Sequence, residues 1–99
     1  MLAQSLQHDV PHLTRVKGVD YFRRGAVLSV SASDRGALAV VRGSRDYQVT
    51  IEHEGGGFAA TCECPYFTDR GEICKHIWAV VVAPDTETLL AFRAFKPGA

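Results

Sequence analysis

The chain has 99 residues, with 11 Lys+Arg balanced by 11 Asp+Glu and a formal net charge of zero. That length holds one domain with a modest core, burying about two-thirds of the surface its unfolded chain exposes. It leaves no room for a nucleotide-hydrolysing domain, and no Gly-rich loop ending in Lys-Ser/Thr is present to cradle phosphates.

The longest apolar run, Ile77 to Ala83, falls far short of the ~20 residues that span a bilayer. The N-terminal stretch MLAQSLQHDVPH has no basic start followed by an apolar block, so the expected compartment is the reducing cytoplasm. The charge is unevenly spread. Residues 1–45 carry seven basic and three acidic side chains, a balance of +4, and residues 46–99 carry four basic and eight acidic, a balance of −4. A dedicated nucleic-acid binder shows an overall basic excess that this chain lacks, which leaves only a local basic face available for that role.

In chain order, residues 1–13 are weakly patterned and read as a lead-in. From Thr14 to Arg24, Val16, Val19 and Phe22 recur at three-residue steps. That predicts a helix capped by Thr14 and ended by Gly25, with Gly18 an unfavourable residue inside it. From Ala26 the period becomes two, with Leu28, Val30 and Ala32 alternating with Val27, Ser29 and Ser31. Turn residues follow at 31–36, and Ala37 to Arg42 is the next apolar run. After the turn GSRD, Tyr47, Val49 and Ile51 alternate with Gln48, Thr50 and Glu52. Gly55-Gly56-Gly57 marks a further turn, and Phe58, Ala60 and Cys62 continue the alternation. Four short strands between Gly/Asp/Ser turns predict an antiparallel meander.

Residues 65–73 read as a polar loop. Cys74 to Ala83 is apolar nearly all round and predicts a short buried helix stopped by Pro84. Asp85 offers a cap for a second helix, with Leu89, Phe92 and Phe95 on one side and Gly98 beyond its end. The expected organisation is a lead-in at 1–13, a domain at 14–83 and a C-terminal helix or linker at 84–99.

The three cysteines, Cys62, Cys64 and Cys74, stand in two single-spaced pairs, the second completed by His76. A disulfide framework would strand one thiol, and residues two apart are awkward to bridge. Structural zinc takes four tetrahedral sulfur and nitrogen donors. Cys62 and Cys64, two apart on an extended strand, share a face. In a regular helix Cys74 and His76 would point apart, but with Cys74 at the non-helical cap position both can converge. Three thiolates and a neutral imidazole around a dication carry a net −1, which Lys75 and Arg70 are placed in sequence to offset. A Cys74–His76 nucleophile pair fails on geometry, since side chains two apart rarely face each other.

The pattern Cys62-x-Cys64, nine residues, Cys74-x-His76 resembles the SWIM zinc finger. The segments Tyr21-Phe22-Arg23-Arg24-Gly25-Ala26-Val27 and Val41 to Val49 are similar to the strand-forming lead-in of bacterial members. The resemblance covers roughly residues 18–83. It implies a small sheet followed by a helix closed over one zinc, in an α+β module with no catalytic role. It further implies binding to DNA or to protein, in company with helicase-like ATPases among others.

Two functions follow as expectations: a DNA-binding module working with such an ATPase, or a protein-interaction adaptor that touches no nucleic acid. Arg23, Arg24, Arg42 and Arg45 are the candidate phosphate contacts, although a solvated charged surface is the simpler account of them. Trp78 is expected in the core. His8, His12 and His53 are scattered and carry no expected role. Neither a small-molecule substrate nor a membrane contact is expected.

Overall fold

The computed structural model describes residues 10–94, and side chains as far as Leu90; among the described residues the order is helix, four strands, then three helices. Phe95, Gly98, His8 and the side chain of Phe92 lie outside the described residues.

Helix α1 spans His12–Arg23. It begins two residues before Thr14, behind Pro11, and no side chain caps it. Its end is built as expected: Gly25 takes φ 77°, the Gly25 N–H reaches Phe22 O, and the Ala26 N–H reaches Tyr21 O. This pair of bonds satisfies the last carbonyls of the helix and needs a residue free of Cβ strain at Gly25.

Strands β1 (Val27–Ala32), β2 (Gly36–Arg42), β3 (Asp46–Glu54) and β4 (Gly57–Cys62) form one antiparallel sheet in sequence order. The β3–β4 turn is the two-residue Gly55-Gly56 pair, with φ 54° and 84°. Two positive φ values in a row fit the right-handed twist of a hairpin and favour glycine. On β2 and β3 the alternation holds. Ala37, Ala39 and Val41 pair with Ile51, Val49 and Tyr47, and all six are buried. Their neighbours Leu38, Val40, Gln48 and Thr50 lie on the other, more exposed face.

β1 departs from simple alternation. Its register with β2 slips between Val27 and Ser29. The partly buried residues are therefore Val27 and Val30, while Leu28 is 45% exposed. The expectation that Leu28 and Val30 share a face is corrected by this bulge, which inserts one residue and reverses the phase of those before it.

Residues 65–70, expected as part of a loop, form helix α2 (Pro65–Arg70). Pro65 supplies a fixed φ at the first helical position, and Gly71 ends the turn at φ 68°. Helix α3 (Lys75–Val82) is buried along most of its length. Ala83 is extended, as a residue before proline must be, and α4 (Pro84–Ala94) follows at once.

Helices α3 and α4 pack on the buried face of the sheet, where Ile77, Val80 and Leu90 meet Val41, Val49 and Ile51. Burying each such side chain stabilises the fold by about 1.5–3 kcal/mol. His53 ties β3 to α4: its ring lies on Phe58 at 4.9 Å, and its Nε2 is 3.3 Å from the Leu90 carbonyl.

Helix α1 lies on α3 through Gly18. A Cβ there would come 2.6 Å from Trp78 Cβ and 3.0 Å from the Lys75 carbonyl. The glycine that weakened the helix reading is the residue that lets the two helices touch. Trp78 is in the core, as expected, at 4% exposed.

Candidate metal centre

The end of β4, the start of α2 and the start of α3 meet at one point, and each brings cysteine there. Cys62 is the last residue of β4, paired with Val49 and facing the core. Glu63, between the first two cysteines, fastens that strand end. Its carboxylate accepts from the Gln48 N–H at 2.9 Å, and its own N–H donates to the Gln48 carbonyl.

Cys64 is the N-cap of α2 in an extended conformation, and its sulfur accepts from the Phe67 N–H at 3.5 Å. Cys74 plays the same part for α3: φ −96°, ψ 173°, with its sulfur accepting from the Ile77 N–H at 3.4 Å. The non-helical cap position is what lets Cys74 and His76 face the same way. Two of the three sulfurs thus sit at helix starts, where orphan N–H groups and the helix dipole favour a thiolate.

His76 turns Nδ1 toward the sulfurs, 3.7 Å from Cys74 Sγ and 4.0 Å from Cys62 Sγ. The four ligand atoms all lie within 4.8 Å of one another, and all four residues are buried. A tetrahedral zinc with bonds near 2.3 Å to sulfur and 2.0–2.1 Å to nitrogen separates its donors by about 3.5–3.8 Å. The observed donor set therefore fits a single structural zinc ion, with three sulfurs and one imidazole filling its four positions.

Packing sets the orientation of the imidazole. The Tyr47 ring is 4.9 Å from it, and the Tyr21 ring meets it edge-on at 5.4 Å. Nε2 faces Gly43, where a Cβ would come within 2.7 Å of it and 2.9 Å of Tyr47 Cε2. The Tyr47 hydroxyl is in turn 2.8 Å from Ser44 Oγ. The sequence reading missed Tyr21, Tyr47 and Gly43 as supports of the site. It took Gly43 for a turn residue and Tyr47 for an ordinary core position, and no local pattern separates those roles.

Without a cation, the three sulfurs shift one another's proton affinity. Cys74 is pulled down to about 4, chiefly by the hydrogen bond it accepts from Cys62 and against the effect of burial. His76 and the Ile77 N–H add to that lowering. Cys62 is pushed well up, first by donating to Cys74 and then by burial, and burial raises Cys64 as well. A bound dication reverses this balance, because coordination requires all three as thiolates.

The candidate arginines do not share one surface. Arg24 and Arg42 line a single shallow cleft beside Tyr21 and Gly43. Arg45 lies over the Tyr47 ring at 5.5 Å. Arg23 lies apart, in a groove between α1 and α3. Lys75, assigned only a balancing charge by the sequence, joins the first group. Its Nζ is 5.0 Å from the Tyr21 ring centre, and Arg24 is 4.8 Å from the same ring. Arg70 instead stacks on Tyr66 at 5.2 Å.

Comparison with known proteins agrees with the geometry. Residues 47–83 match the family model of the SWIM zinc finger, a span that begins in β3, contains all four ligands and ends just after α3. No curated protein and no solved structure matches the chain.

Proposed function

We propose that the SWIM zinc finger carried at residues 47–83 works as a DNA-binding module, with its zinc structural and its phosphate contacts made by Arg24, Arg42, Arg45 and Lys75. The zinc's part is to fix strand end to helix start. With four protein donors it keeps no open position for a substrate or an activated water. A binding role is what such a closed site leaves.

One observation carries the reading. Cations from three separate parts of the chain gather on the two tyrosines that flank His76: Arg24 and Lys75 on Tyr21, and Arg45 on Tyr47, with Arg42 in the adjoining cleft. Four cations thus lie near the proposed zinc site despite a neutral total.

Arg24 is bonded to Asp20 at 2.9 Å and Arg42 to Asp46 at 3.2 Å. Both pairs are at least half exposed on each side. Such pairs are worth about 0–1 kcal/mol, so they give way readily to a phosphate.

Four phosphate contacts give a slope of about −3.6 in log affinity against log salt concentration. Fluorescence anisotropy of a labelled duplex, from low to near-physiological salt, measures it. Binding with a slope of about −3 to −4 is expected, and an Arg42→Ala/Arg45→Ala variant should lose about 2 from the magnitude of that slope. Salt-independent binding, or none at the lowest salt, would remove the proposal.

A further inference from the structure

We infer that the groove between α1 and α3 is a docking site for an acidic amphipathic helix of a partner protein, separate from the DNA-facing side. The groove has a volume of about 530 Å³. Its apolar lining comes from Val16 and Val19 of α1 and from Trp78 and Val82 of α3. Val16 is 50% exposed, and Leu13, one turn earlier on α1, is 62% exposed. These are two of the four large apolar side chains left open among the described residues, and they adjoin along one stripe of one helix. Isolated exposed apolar residues need no explanation, but a contiguous stripe beside a groove does.

Charge decides what fits. Arg15 and Arg23 flank the apolar floor, and neither has an ion-pair partner among the described residues. Arg15 is partly buried and Arg23 is exposed, and a carboxylate that pairs with a guanidinium makes a charge-assisted hydrogen bond. Asp20 is the one acidic residue of the lining, against Arg15 and Arg23. The charge around the floor is therefore net positive whether or not Arg24 holds Asp20.

Arg15 and Arg23 are eight residues apart on α1, about 12 Å along the axis. A second helix lying along α1 matches this with two carboxylates seven or eight residues apart, and with apolar residues between them at three- and four-residue steps against Val16 and Val19. A basic or uncharged helix leaves both guanidinium groups unpaired.

The test is selection of helix-forming peptides of about 16 residues from a displayed library against the zinc-loaded full chain, with a Val16→Asp variant as counter-target. The expected winners are amphipathic, carry acidic residues at the seven- or eight-residue spacing, and shift the emission of Trp78, the single tryptophan. An Arg15→Gln/Arg23→Gln variant, one change partly buried and the other exposed, should bind them at least about tenfold more weakly while melting like the parent.

Basic or uncharged winners, no enrichment over the Val16→Asp protein, or displacement of the peptide by duplex DNA would each overturn the inference. Two further outcomes would do the same by naming a different occupant. One is a dimer in sedimentation that Val16→Asp dissolves. The other is a rise in peptide affinity on replacing Leu2 and Leu6 with Asp, which would place the chain's own N-terminal segment in the groove.

Discussion

Each ligand of the metal centre owes its position to a neighbour that is not a ligand. Glu63 pins the strand end beneath Cys62, the Phe67 and Ile77 N–H groups point at Cys64 and Cys74, and Gly43 leaves space for the imidazole between two tyrosines. Zinc affinity should depend steeply on pH, with a definite sign. In the metal-free fold Cys62 and Cys64 hold their protons, while Cys74, at about 4, is already a thiolate at neutral pH. Metal entry must therefore expel at least about two protons, and three where the metal-free chain is unfolded and Cys74 loses its partners. Protons compete with the metal, so affinity falls as pH falls, by about 100-fold or more per unit below neutrality. Competition titration with a chromophoric chelator at several pH values measures this. A flat profile would mean that sulfur is not the donor.

At the scale of elements, the sequence was legible where local pattern and tertiary packing agreed. The period-two runs of β2 and β3 predict the inward residues, and the glycines at 25, 55 and 56 mark positions that need positive φ. The single-spaced Cys/His pairs predict where strand end and helix start meet. It was illegible where tertiary contact overrides local preference. Gly18 weakens α1 by about 1 kcal/mol against alanine as an isolated helix residue, yet the crossing with Trp78 depends on it. The bulge at Leu28 reverses a strand phase without any glycine to mark it. The α2 turn is short enough to read as loop, although Pro65 and Gly71 frame it. These cases give a prediction in which two effects oppose. Gly18→Ala restores helix propensity, but its Cβ meets the backbone-anchored Cβ of Trp78 and the Lys75 carbonyl, neither of which can rotate away. Overpacking of this kind costs about 1–3 kcal/mol, so the variant should be the less stable protein. Thermal melting, with Trp78 emission as a second reporter, decides the sign. A raised melting temperature would show that α1 and α3 are not in the contact described.

For the whole molecule, the metal and the hydrophobic core do different work. The core joins β2 and β3 to α3 and α4, while the metal centre joins β4, α2 and α3, where the sheet's edge would otherwise rely on one hairpin and a few side chains. A structural zinc contributes about 10–16 kcal/mol of apparent binding energy, against the ~5–15 kcal/mol that holds a typical domain together. In a chain of 99 residues the two are comparable, so the fold and the metal site stand or fall together. The most direct test is metal content followed by chelation: elemental analysis of the purified chain, then circular dichroism and melting before and after a strong chelator. The account predicts one zinc per chain, a large loss of ordered signal or melting temperature on its removal, and recovery when zinc is restored. A chain without stoichiometric metal, or one whose spectrum and melting are unchanged by the chelator, would contradict it.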